Sequence, residues 1–364
     1  VSSCDSSSKW KTNILPAGKS LSPVELIRNL KWQNLDHAAQ LWVFRNNTSD
    51  TLFVAIDHTL ADAAGLKGLC YLLASTYSQI SASAIDPAGS RPSNRQGLRQ
   101  VTSQFSLPEK IRSFCSWRPA AGSWRFPGAT HGAPSRPAYN ISHLDDPALA
   151  GLKRFGRQRA ATINDLLIAA FYVAALTHLR PLNKTRLPIQ ITIDMRRYIK
   201  GSNGAGIANL SSSIDIWLPA NINRRFDDIL METCRRLKIV KRRNPGLGAA
   251  IAIDILFIAG YPRARSFFMR HVSSGLHTRT ANPILSNFGR IDDTRLMFDD
   301  TAAREAFLVG PSLSIPGLMM CASGFRNSLT LSVGYNQSAI SGGLISRFVN
   351  TMRQELIAAS KRAC

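Results

Sequence analysis

The chain has 364 residues, with 45 lysines and arginines against 23 aspartates and glutamates, a formal charge of +22, and 45% hydrophobic side chains. That length and apolar share support a full hydrophobic core, in one large domain or two, and exclude a disordered chain. The charge favours polyanionic partners, but no zinc finger, basic zipper or RNA-binding signature accompanies it, which sets nucleic acid aside.

Residues 1–22 are rich in serine and lysine and read as irregular. Gln40–Phe44 and Leu52–Ile56 have strand character, with a polar turn between them. A helix then carries Leu66, Leu69, Cys70, Leu73, Tyr77 and Ile80 at helical spacing. Residues 81–100 form a polar loop. Trp117–Pro137 is broken by prolines and glycines and reads as a linker, which divides the chain into 1–136 and 137–364. Trp117, Trp124 and Phe126 are costly to expose, so part of this linker packs on a surface.

The second half opens with a strand at Ala138–Leu144 and a helix from Asp146 to about Arg159. Asn164 is a candidate cap for the next helix, which runs to His178. Leu187–Asp194 alternates like a strand, and a helix near Phe226 carries the basic cluster Arg235, Arg236, Lys238, Lys241, Arg242 and Arg243. The apolar run from Gly246 to Gly260 is interrupted by Asp254 and is too short to span a bilayer; it reads as a core helix, with a membrane-contacting helix as the alternative. Arg263, Arg265 and Arg270 follow it. Met319–Phe325 and Leu329–Tyr335 flank a polar turn as a hairpin, and Ile345 to Ile357 marks the last helix. Strands alternating with helices, plus a hairpin, predict an α/β sandwich with mixed β-sheets and flanking helices. Cys70 and Cys321 fall on apolar faces and read as buried thiols, and no Cys-x-x-Cys occurs, which favours a reducing compartment.

The run Leu52 to Gly65 carries the chemistry. A strand pattern ends at His58, and Asp62 follows just before a helix opens. Histidine titrates near neutral pH, so at a strand end facing a cavity it can take a proton from a hydroxyl, amine or thiol. The plainer alternative makes His58 a satisfied strand-end histidine and Asp62 a helix N-cap. Other chemistries lack a centre: there is no Gly-x-Ser-x-Gly elbow, no Walker loop and no metal set, and Gly201, Gly204 and Gly206 lie in a polar turn.

His58-Thr59-Leu60-Ala61-Asp62-Ala63-Ala64-Gly65 resembles the His-x-x-x-Asp-Gly motif of the acyltransferases related to chloramphenicol acetyltransferase. That superfamily includes condensation domains, polyketide-associated acyltransferases, alcohol acetyltransferases and wax ester synthase/diacylglycerol acyltransferases. Further segments match in order. Thr162–Leu167 is similar to the Asn-Asp helix opening of the wax ester synthase branch, and Ile191–Arg196 to its strand ending in arginine. Gly206–Leu210 resembles its Gly-Asn strand, Ser286–Gly289 the Ser-Asn-x-Gly element, and Leu331–Asn336 the last core strand. Three departures stand out. Asp57 replaces the first of two histidines, Ala63 replaces the motif glycine, and no early arginine is visible to pair with Asp62.

The resemblance implies a two-lobed chloramphenicol acetyltransferase-like sandwich, with His58 midway along a tunnel and a shortened first lobe. It implies transfer of an acyl group from an acyl-coenzyme A or an acyl carrier protein to an alcohol or amine, with His58 as general base and Asp62 ordering its loop. Ser286, Asn287, Asn164 and Arg196 are the substrate-binding candidates. Asn164 also reads as a helix cap joining the lobes, and Arg196 as a structural partner for a carboxylate or a ligand for a phosphate. No cofactor is expected; the coenzyme A or phosphopantetheine thioester is a co-substrate. The positive charge suits coenzyme A phosphates, an acidic carrier protein or an anionic membrane surface, and the expected location is cytoplasmic with peripheral membrane contact. Ester formation is the first expectation, amide formation the second, and a non-catalytic binding relative the third.

Overall fold

The computed structural model describes residues 12–15, 25–27, 39–45, 49–82, 97–127, 137–200, 206–313 and 317–362. Three strands form a small sheet: β1 (Thr12–Leu15), β2 (Ala39–Arg45) and β3 (Asp50–Ile56), with β1 parallel to β2 and β2 antiparallel to β3. β1 corrects the expectation that residues 1–22 are irregular: Thr12–Leu15 pairs in parallel with Leu41–Phe44 along the edge of β2. The remaining residues of that segment lie outside the described ones.

β3 hands the chain to α1 (Ala63–Ser81), and after residue 96 come two short helices, α2 (Arg99–Thr102) and α3 (Leu107–Ser116). Along α1 the expected apolar stripe is only partly covered. Leu66, Leu69, Cys70 and Leu73 are half-buried and Tyr77 and Ile80 exposed, while the buried positions are Gly65, Tyr71 and Ala74 beside the stripe. The helix forms as its period dictates, but one side of the stripe faces a cleft instead of packed side chains.

The linker expectation is revised by β4 (Trp124–Arg125). This two-residue strand pairs with both β6 (Arg180–Pro181) and β9 (Thr280–Ala281). Trp124 is fully buried and donates its indole N–H to the Pro188 carbonyl at 2.6 Å, and Phe126 is buried beside it. Burying two large aromatics outweighs the turn preference of the surrounding prolines and glycines. Residues 128–136 of the expected linker lie outside the described ones.

The main sheet has six strands in the order β5-β14-β13-β10-β7-β8. They are β5 (Pro137–Leu144), β7 (Arg186–Asp194), β8 (Ser211–Pro219), β10 (Ile284–Ile291), β13 (Met319–Phe325) and β14 (Ser328–Asn336). β10 runs parallel to β7 and β13, and the other pairings are antiparallel, so the sheet is mixed as the sequence implies. β13 and β14 are buried along almost their whole length because both faces of the sheet are covered. On one face lie α4 (Asp146–Gln158), α5 (Ile163–His178), α6 (Phe226–Lys241) and α9 (Gly342–Lys361). α5 is apolar all round and becomes the central helix of the core, with Leu166 to Tyr172 fully buried.

Two helices stand at the end of this unit, α7 (Leu247–Ile258) and α8 (Tyr261–Thr278). Only the first turn of α7 is buried, at Leu247, Gly248, Ala249 and Ala250, which qualifies the expectation of a core helix. A small hairpin, β11 (Met297–Phe298) with β12 (Thr301–Ala302), packs on α1. The segment after it crosses the second face of the main sheet. Leu308 holds it there, its N–H bonded to Ser323 Oγ and its carbonyl accepting from Ser332 Oγ. Among the described residues no single helix is long and apolar enough to cross a membrane.

Candidate active site

β3 stops at Ile56 because the next carboxylate captures the backbone. Asp57 Oδ1 accepts from the Thr59 N–H at 2.8 Å and from Thr59 Oγ1 at 2.6 Å, which turns the chain. These bonds hold the Asp57 carboxyl below its ordinary range. His58 sits in this turn, exposed to the cleft that it lines. Its Nδ1 lies 3.2 Å from the Ala61 carbonyl oxygen. Asn209 Nδ2 lies 3.5 Å from the same nitrogen; with the proton on Nδ1 the shorter contact to the carbonyl is the hydrogen bond, and the lone pair is then on Nε2. Asn209 secures the other side of the turn, its Nδ2 donating to the His58 carbonyl at 2.6 Å. The Asn209 amide oxygen in turn accepts from Ser211, both N–H and hydroxyl.

Asp62 is buried at 6% exposure and does not serve the imidazole. Its Oδ1 caps α1 by accepting the Gly65 N–H at 2.8 Å. Its Oδ2 accepts from Arg196 Nη1 at 2.7 Å and from the Leu210 N–H at 2.8 Å. One carboxylate therefore ties the start of α1 to the end of β7 and to the approach to β8. Arg196 is the arginine partner that no early segment supplied. It also bonds Asp194 at 3.2 Å and the Ala208 carbonyl at 2.6 Å. With its guanidinium committed to these acceptors, Arg196 stands outside the cleft lining, so its place is that of an ion pair supporting the turn. This is the structural alternative that the sequence offered for Arg196, as partner of a carboxylate. Gly65 fits the same junction, since a Cβ there would meet the Ala208 carbonyl at 2.8 Å.

The facing wall is built from β7 and β10. Ser286 is buried and shares a hydrogen bond with Thr192, Oγ to Oγ1 at 2.6 Å. Asn287 still pairs with Ala322 of β13, and the β10–β13 register slips just after it, so that the bulge falls on Phe288 and Gly289. Asn287 Nδ2 donates to Asn164 Oδ1 at 3.2 Å, and its Oδ1 accepts the Gly289 N–H. Gly289 has φ of +71°, which the bulge requires. Asn164 is not the cap of α5; Thr162 is, in a reciprocal pair with Asp165, leaving Asn164 in the first turn to hold Asn287. Thr162 wins because its hydroxyl stands three residues before a carboxylate.

Sequence reasoning missed Lys67. Its ammonium spans from α1 to the bulge, donating to the carbonyls of Phe288 at 2.7 Å and Arg290 at 3.1 Å. Burial pushes its pKa down, against the opposing pull of Asp194 and Asp62. No local pattern marks such a lysine, because its acceptors lie 221 and 223 residues away. Asn209 had a signal, the Gly-Asn segment, but not a role.

Between these walls runs a cleft of about 2150 Å³, lined by His58, Asp62, Lys67, Thr192, Ser286 and Asn287 together with apolar side chains such as Leu66, Tyr71, Phe298 and Leu308. An imidazole in a mostly apolar cleft suits proton transfer to or from a bound small molecule. Among the described residues, no group of three or more histidine, cysteine or carboxylate side chains could hold a metal ion.

No family model and no curated protein matches the chain. Solved structures do. The chain is similar to the epimerization domain from the third module of tyrocidine synthetase B, with TM-score 0.62 and 15% identity over 98% of this chain and 80% of that one. It is similar to polyketide synthase associated protein 5 from Mycobacterium tuberculosis, with TM-score 0.59 and 13% identity over 89% and 77% of the two chains. It is also similar to the trichothecene 15-O-acetyltransferase from Fusarium sporotrichioides, with TM-score 0.62 and 12% identity over 88% and 70%. Identities this low establish a shared fold, the mixed α/β sandwich of condensation domains and chloramphenicol acetyltransferase-like acyltransferases.

Proposed function

We propose that the chain is an acyltransferase that moves an acyl group from a coenzyme A or carrier-protein thioester to an alcohol or amine. The observation that carries this reading is the position of His58, at the end of β3 and in the lining of the cleft with Nδ1 beside the Ala61 carbonyl, which supports Nε2 as the base. In the proposed cycle, Nε2 removes the acceptor proton as the acceptor oxygen or nitrogen attacks the thioester carbonyl. The tetrahedral oxyanion collapses, the C–S bond breaks, and the imidazolium returns its proton to the leaving thiolate. Asn287 is assigned to the neighbourhood of the oxyanion, because it lines the cleft and Asn164 orients its amide. Asp62 and Arg196 hold the turn, and Ser286 lines the wall. The thioester is a co-substrate, so no further cofactor is proposed.

Ester formation is preferred, because Thr162–Leu167 and Gly206–Leu210 resemble the wax ester synthase branch. Amide formation is the alternative within the same chemistry, and similarity to a condensation domain of the CDA synthetase supports it equally. A binding protein without turnover is the remaining alternative. The test is thiol release from short and long acyl-coenzyme A donors and an acyl-loaded carrier protein, with pooled alcohols and amines. Acceptor-dependent release should fall about 10²- to 10⁴-fold in His58→Ala while the variant keeps its melting temperature. Release that is unchanged in the variant, or absent with every donor, would reject the proposal.

A further inference from the structure

α8 is an amphipathic helix whose apolar face the protein leaves open. Tyr261, Phe268 and Val272 recur at i, i+7 and i+11, which places them on one side with Met269 at its margin. Arg263 and Arg270 lie on the opposite side with Ser266 and Ser273 and with Phe267 beside them, while Arg265 falls on the side of Tyr261 and Val272, where its aliphatic stem can run along the apolar face. Within α8 the body covers Ala264, while Tyr261 is 71% exposed and Phe267 54%. The open surface continues into α7, where Ile258 is 67% exposed. α3 packs beside α7 in the opposite direction. Gly248 abuts Ser113 and Trp117 at one end, and Lys110 acts on Asp254 toward the other. α3 in turn exposes Leu107, Ile111 and Phe114, again at i, i+4 and i+7. Exposed apolar residues scattered singly need no explanation, but three adjacent helices presenting them together do.

We propose that this surface docks the protein on an anionic lipid bilayer, with α8 lying in the headgroup region. Aromatic and aliphatic side chains enter the acyl boundary, while Arg263, Arg265 and Arg270 reach anionic headgroups. Charge selects this occupant over a second copy of the chain, because two molecules of formal charge +22 would bring the same arginines together. Shape selects it over a flat protein partner. α8 projects with almost every side open, and a fluid lipid surface can close around it without a matching groove.

The test is co-sedimentation of the full chain with vesicles of phosphatidylcholine alone and of phosphatidylcholine mixed with phosphatidylglycerol. The chain should pellet with the anionic vesicles, bind less as salt rises, and stay in the supernatant with neutral ones. Phe268→Glu/Met269→Glu should lower the partition coefficient at least about tenfold at unchanged melting temperature. Thiol release from water-soluble donors should be unaffected, so this proposal and the acyl-transfer reading fail separately. A chain that ignores anionic vesicles, or a variant that binds as well as the parent, overturns it. So does pelleting without vesicles that the variant abolishes, which would identify self-association or another protein as the occupant.

Discussion

Removing the Asp62 carboxylate tests whether this residue acts as scaffold or as chemistry. Asp62→Ala deletes a helix cap worth about 1 kcal/mol and one member of a nearly dry ion pair, whose disruption costs about 3–5 kcal/mol. The side chains of Asp62 and Arg196 are only 7% and 15% exposed, so solvent screens them little. The stranded guanidinium keeps Asp194 and the Ala208 carbonyl, which argues for the lower end. A loss of about 4 kcal/mol follows. Arg196→Met leaves the carboxylate with two backbone N–H donors and should cost about 3 kcal/mol. The double variant should lose about 2 kcal/mol less than the sum, since each change removes the same bond. Urea unfolding followed by tryptophan fluorescence reads all four corners, with Trp124 as a buried reporter. A loss below about 1 kcal/mol in Asp62→Ala, or strictly additive changes, would refute the scaffold argument. Full stability with abolished turnover would move Asp62 into the chemistry.

Asn209→Ala removes the donor that holds the His58 carbonyl; the rate of thiol release should fall about 10- to 100-fold, with a stability loss near 1 kcal/mol, and an unchanged kcat would count against this positioning role. Burial raises the Asp215 carboxyl above its ordinary 3.8, and the Ala120 N–H only partly offsets it. A raised acid contributes stability below 3.8 that is lost as pH rises through the folded value. Asp215→Asn should therefore gain stability over the parent at pH 7, with the gain vanishing at strongly acidic pH; thermal melts across pH read this, and a pH-independent difference would contradict it. Burial pushes the Cys321 thiol up to about 12, while Cys115 is exposed. Brief alkylation of the native chain at neutral pH, mapped by mass spectrometry, should label Cys115 and spare Cys321, and early labelling of Cys321 would refute its placement.

What the sequence disclosed follows the range over which each signal acts. Strand and helix periods are local, so β2, β3, β5, β7, α4 and the β13–β14 hairpin fall within a residue or two of their expected bounds. The turn at His58 and the cap at Asp62 were visible for the same reason. Arg196 was visible as a residue but not as the partner of Asp62, 134 positions away, because pairing across elements leaves no periodic trace. Lys67 was hidden likewise. Trp124 and Phe126 read as part of a linker that packs on a surface, and that packing is seen; the strand at Trp124 was not visible, because its partners come from two later segments. α7 shows the converse error: its apolarity suggests a core helix, yet only its first turn is buried and Ile255, Phe257 and Ile258 at its end are exposed.

The clasp around Asp62 also sets an order of events during folding. The imidazole arrives on residue 58, but the groups that steady its turn come from residues 196 and 208–211. Closing such long loops is entropically slow, while α5 and the β13–β14 hairpin form from nearby residues. A chain refolding from denaturant should therefore recover fluorescence before it recovers turnover. During synthesis, the residue proposed to do the chemistry emerges ahead of the groups that steady it and stays idle until they have followed.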